Sequence, residues 1–135
     1  MRILTGGVES KLGMNDRTRT VLIVDDDPQI LRLVEKMLRP RNVNVLLAPR
    51  PSEALLICQQ QTVDLLISDV LMPEMDGNRL AERVLKLHPK ASILLISGHY
   101  KEPPAAARSG HVKFLKKPFF PSQLIQFLRE LLPEA

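Results

Sequence analysis

Three short runs, Val21–Val24, Leu65–Ile67 and Ile93–Ile96, are apolar at every position. A strand with one wet face alternates polar and apolar residues, whereas a strand apolar throughout has both faces covered. That is the condition of a parallel sheet clad by helices. The intervening stretches supply the cladding. Ile30, Leu31, Val34, Met37 and Leu38 recur at i, i+1, i+4, i+7 and i+8, one stripe of an amphipathic helix. Asp27-Pro28 opens that helix with a cap residue and a proline at the first helical position, and Pro40 stops it.

The cycle then repeats. Val43–Leu47 reads as a second strand, and Ser52 to Gln60, opened by Pro51, as a second helix. Asp64–Ser68 is the third strand, followed by a turn-rich loop from Asp69 to Gly77 and a helix from Asn78 to Leu87 closed by His88-Pro89. Ser92–Ile96 and Val112–Leu115 complete five strands, and Pro121-Ser122 opens a last helix through Leu132. Strands alternating with helices predict an α/β fold. Right-handed crossovers put helices on both faces, so the expected topology is a doubly wound, flavodoxin-like parallel sheet ordered 2-1-3-4-5. The helix due between strands four and five is the weak point. Pro103-Pro104 falls inside it and Gly110 ends it, which leaves Ala105 to Ser109, little more than one turn. A short or irregular fourth helix is expected there.

With 135 residues the chain is long enough for one domain with a real core. Residues 1–19 show no period and read as a flexible tail, residues 20–135 as the domain, and Met14 is an alternative start. One cysteine excludes an internal disulfide, and Cys58 on the second helix reads as a small apolar filler; a reducing, cytoplasmic setting fits. The apolar runs fall far short of the roughly 20 residues of a membrane span, so no membrane partner is expected. The net charge is +4, of which residues 1–20 carry half, and aromatics are 4%. Scattered basic residues without aromatic company do not make a nucleic-acid surface.

In such sheets sites form beyond the carboxyl ends of the strands. There stand Asp25, Asp26 and Asp27 after strand one, Asp69 after strand three, Ser97 after strand four and Lys117-Pro118 after strand five. Asp27 is best explained as the helix cap. The other carboxylates, crowded into one volume, repel unless a cation joins them, and hard oxygen ligands beside a flexible loop suit Mg²⁺. Metal, hydroxyl and ammonium together form a clamp for a phosphoryl group.

VLIVDDDP, DLLISDVLMPEMDG, LLISG and FLKKPF resemble, in order and spacing, the four signature segments of receiver domains from two-component response regulators. The likeness runs from about Val21 to Leu132. It implies that Asp69 is the phosphoacceptor, charged by the phosphohistidine of a histidine kinase or phosphotransfer protein. It implies that Mg²⁺ is held by Asp26 directly, by Asp25 more through water, by Asp69 and by the backbone carbonyl of Leu71. Ser97 matches the switch hydroxyl, Phe114 the switch aromatic, Lys117 the phosphate-binding lysine, and Lys117-Pro118 the family's cis peptide. The implied output is an unidentified downstream protein, by contact rather than by DNA binding, either as a stand-alone receiver or as a module of a hybrid histidine kinase or longer regulator. One remote enzymatic alternative is a haloacid-dehalogenase-like phosphohydrolase with Asp25 as nucleophile. Gln29 stands where that motif has Thr or Val, no acidic pair follows Lys117, and Asp69 is left without a role.

Overall fold

The computed structural model describes residues 18–98 and 112–132. Its five strands are β1 (Arg19–Val24), β2 (Val43–Ala48), β3 (Leu65–Asp69), β4 (Ser92–Ser97) and β5 (Val112–Lys116), all parallel and ordered β2-β1-β3-β4-β5. The helices are α1 (Pro28–Leu38), α2 (Pro51–Gln60), α3 (Gly77–Leu87) and, after β5, α4 (Pro121–Leu131). Expected fold class and strand order are both present. The tail up to residue 17 and the helix expected between strands four and five lie outside the described residues.

Alternation along the strands divides the core in two. Leu22, Val24, Leu66, Ile93 and Leu95 face α2 and α3, where they meet Ala54, Cys58, Leu80 and Val84. Val21, Ile23, Leu65, Ile67, Leu94 and Ile96 face the other way, against Leu31, Val34 and Leu38 of α1 and Leu124 and Leu128 of α4. Each fully buried Leu or Ile contributes about 2 kcal/mol through lost apolar hydration, so the two layers hold the sheet between its helices. Burial also pushes the Cys58 thiol up to about 11, which leaves it an inert filler. His88, the C-cap of α3, ties α3 to α2 by donating from Nε2 to the Cys58 carbonyl at 2.8 Å. No helix among the described residues is long and apolar enough to cross a membrane.

Helix starts follow the sequence signals closely. The Asp27 carboxylate accepts the N–H of Gln29 at 2.9 Å with Pro28 behind it, and Asp76 accepts that of Arg79 at 2.9 Å. At α4 the Gln123 side chain reaches back to the Phe120 N–H at 2.7 Å. Several boundaries differ from expectation by one or two residues, among them those of β1 and β3. β1 takes in Arg19 and Thr20, ahead of the apolar run, and Asp64 drops out of β3. Arg19 and Thr20 pair with Val43 and Asn44 of β2, while the Asp64 carboxylate accepts the Thr20 N–H at 2.7 Å and pairs with Arg19 at 3.7 Å, and the Asp64 backbone stays bonded to Thr20 and Ser92 on either side.

Candidate functional site

β1 and β3 are paired with Val24 opposite Ser68, so the residues that follow emerge at one end of the sheet. One carboxylate oxygen from each of Asp25, Asp26 and Asp69 lies within 4.8 Å of the others. Their surroundings differ. Asp25 is buried at 2% exposure, the Asp69 side chain is 12% exposed, and Asp26 stands in solvent. β5 delivers the counter-charge: Lys117 Nζ lies 3.8 Å from an oxygen of Asp25 and 3.8 Å from an oxygen of Asp69. That is ion-pair range, too long for a hydrogen bond. One ammonium is thus shared between two desolvated carboxylates, with a third nearby.

The protonation equilibria record the deficit. Asp25 is pushed up to about 6, first by burial and further by the neighbouring Asp69 and Asp26 charges. The Asp27 N–H, which donates to its Oδ1 at 2.9 Å, and the Lys117 ammonium oppose the rise. Asp69 is also raised by burial, against the pull of Lys117 and of the Val70 and Leu71 N–H groups. In both carboxylates desolvation outweighs the attraction of Lys117. A hard divalent cation would reverse that balance, and the donor set suits Mg²⁺: oxygen atoms only, few of them, with Asp26 on the water side.

The loop after Asp69 is folded tightly over the strand end. The Val70 N–H donates to the Ile96 carbonyl at 3.1 Å, and the Gly77 N–H to the Val70 carbonyl at 2.7 Å. A Cβ on Gly77 would press on the Asp69 carbonyl and come within 2.9 Å of the Val70 Cα, both backbone. Glycine is required here by close approach. Gly77→Ala is therefore expected to destabilise the protein by about 2 kcal/mol in urea titrations, as overpacking against a fixed backbone does. A loss under about 0.5 kcal/mol would show that the loop yields freely.

The remaining expected residues distribute as follows. Ser97 ends β4 fully buried at the same end of the sheet, and its carbonyl accepts the Lys117 N–H at 3.0 Å, which anchors the lysine. The Lys117-Pro118 peptide is cis. Leu71 is in the loop, with its side chain 45% exposed. Phe114 lies further down β5, opposite Leu95, half-buried against the α2–α3 layer. Asp25, Asp26, Asp69 and Lys117 are thus drawn together, Ser97 flanks them, and Phe114 is set apart. The sequence reading missed Glu74, whose carboxylate reaches across to Ser52 at the start of α2. The available signal was Arg50, a poor cap residue directly before Pro51.

Comparison with known proteins is consistent with this arrangement. The profile of the response regulator receiver domain matches residues 21–129. The chain is 39% identical over 115 residues to an uncharacterized 14.6 kDa protein of Leptolyngbya boryana, covering 82% of this chain and 87% of that one. It is 32% identical over 124 residues to the transcriptional regulatory protein GlrR of Escherichia coli, covering 90% of this chain but only 28% of the regulator. Among solved structures, the chemotaxis response regulator CheY4 of Vibrio cholerae superposes with a TM-score of 0.75 at 31% identity, covering 85% of this chain and 99% of that one.

Proposed function

Because the chain belongs to the response regulator receiver domain family of two-component signalling, we propose that Asp69 accepts a phosphoryl group from the phosphohistidine of a histidine kinase or phosphotransfer protein. The acyl phosphate then alters the contacts of the domain with a downstream protein. The observation that carries this reading is the single Lys117 ammonium shared between the Asp25 and Asp69 carboxylates.

Of the two buried carboxylates, Asp69 is the better nucleophile. Asp25 is sealed at 2% exposure with Oδ1 engaged by the Asp27 N–H, whereas the Asp69 side chain is 12% exposed. An Asp69 oxygen attacks phosphorus; the O–P bond forms as the N–P bond breaks, and the departing imidazole keeps the electron pair and takes a proton from water. Asp25, Asp26 and Asp69, with the Leu71 carbonyl, would hold Mg²⁺. When bound, Mg²⁺ offsets the negative charge of the phosphoryl oxygens. Lys117 then moves its charge from two carboxylates to the new phosphoryl oxygens. The buried Ser97 hydroxyl donates to one of them, and the half-buried Phe114 supplies the packing element that responds.

The reading involves no direct nucleic-acid or membrane contact and places the domain in the cytoplasm with its donor. Since the chain spans 28% of GlrR, a place as one module of a longer regulator or hybrid kinase is compatible with the same chemistry. The test is incubation with Mg²⁺ and a small phosphoramidate, followed by intact mass and peptide mapping. One phosphoryl group on Asp69 is expected. Mapping to Asp25 would overturn the reading in favour of a phosphohydrolase nucleophile.

A further inference from the structure

Helix α2 has no N-terminal cap of its own. Arg50, at the N-cap position, offers no side-chain acceptor to the first-turn N–H groups, and its guanidinium pairs with the Glu53 carboxylate at 3.1 Å. The acceptor arrives from the loop after Asp69. Glu74 Oε1 accepts the Ser52 N–H at 3.1 Å and Oε2 accepts the Ser52 hydroxyl at 3.3 Å. A carboxylate there also meets the positive end of the helix dipole. Glu74 holds this position from a backbone φ of 32°, in the left-handed region that non-glycine residues seldom adopt. Glycine would make the same turn without strain, so what Glu contributes is the carboxylate.

The loop is fixed at its ends by the Val70 and Gly77 hydrogen bonds and by the Asp76 cap on α3. Its middle is held by Met72 and Met75 packing on the α2–α3 layer and by the Glu74 bonds to Ser52. We propose that Glu74 is a positioning residue: by capping α2 from outside, it holds the middle of the loop so that Asp69 and the Leu71 backbone keep the arrangement the acidic cluster needs. The inference rests on the reading of that cluster as a Mg²⁺ and phosphoryl site. Without the cap the loop samples other positions, only a fraction of molecules are competent, and apparent Mg²⁺ affinity falls by that fraction.

The experiment follows the methionine methyl resonances of the full chain by NMR during titration with Mg²⁺, since Met72 and Met75 lie in the loop. Wild type is compared with Glu74→Gly, which removes the carboxylate and relaxes the backbone, and with Glu74→Gln, which keeps an acceptor for the Ser52 N–H. The Mg²⁺ concentration at half-saturation is expected to rise in Glu74→Gly, by up to about fivefold, the equilibrium factor of one lost cap. Glu74→Gln is expected to stay within about twofold of wild type, a rescue that a change in charge alone would not give. Amide exchange at Ser52 and Leu71, whose N–H groups are held by Glu74 and Asp69, is expected to accelerate in Glu74→Gly, while Leu66 and Leu94 in the central strands stay protected. Faster exchange at Ser52 with an unchanged Mg²⁺ curve would overturn the inference alone, since the cap would then be structural only. A wild-type chain whose methyls ignore Mg²⁺ would overturn the reading of the cluster, and the inference with it.

Discussion

Asp69→Asn is expected to abolish phosphoryl uptake and, in the same molecule, to raise the melting temperature of the metal-free protein. The two effects share one cause. A carboxylate at 12% exposure is only partly repaid by an ammonium 3.8 Å away that also serves Asp25, so its ionised form is costly at neutral pH, as its raised pKa records. Asn is nearly isosteric, keeps an acceptor for the Val70 and Leu71 N–H groups, and frees Lys117 for Asp25. It has no anionic oxygen to attack phosphorus. Asp27→Asn is the control. Asp27 is exposed and caps α1 through Gln29, and Asn caps a helix about as well, so uptake is retained and stability moves by less than about 0.5 kcal/mol. Intact mass after Mg²⁺ and phosphoramidate reads the first effect, and thermal melts in chelator read the second. Undiminished uptake in Asp69→Asn would remove it as acceptor, and a lower melting temperature would show that its charge stabilises the cluster.

The cluster was legible in the sequence while its support was not. Strands clad on both faces leave unbroken apolar runs such as Val21–Val24, and a parallel topology sends every strand's carboxyl end to one edge. Asp25, Asp26, Asp69 and Lys117 could therefore be grouped from their positions after the runs. The same rule placed Ser97. Phe114 obeys strand alternation instead, which turns it to the α2–α3 layer. Other features depend on contacts between segments far apart in the chain. Glu74 caps a helix 22 residues upstream, and the Asp64 carboxylate accepts the Thr20 N–H of β1 across 44 residues. Gly77 reads locally as half of an Asp-Gly turn, yet what demands glycine is the backbone of Asp69 and Val70 packed against it. Local periodicity carries no trace of such contacts.

Metal-free protein is expected to lose stability as pH rises from about 4 to 6, the reverse of ordinary acid denaturation, with Asp25 as the main source. Its pKa moves from 3.8 to about 6 on folding, so within that window the native state binds the proton more tightly than the unfolded chain. Stability then falls with rising pH. The contribution is fully present below the lower value and gone above the upper one, and a shift of this size corresponds to up to about 3 kcal/mol. Urea titrations across the window in chelator measure it. Asp25→Asn, which keeps an acceptor for the Asp27 N–H, is expected to be more stable than wild type at pH 7 and to remove most of the slope, the remainder coming from Asp69, which titrates in the same direction. Mg²⁺ at pH 7 is expected to stabilise wild type by binding the ionised carboxylates of the native state, and to do so far less for Asp25→Asn. An Asp25→Asn protein with the full wild-type slope would assign the pH dependence elsewhere. A wild-type stability that climbs with pH through this window would mean that Lys117 overcompensates the cluster, and the case for a missing cation would fall with it.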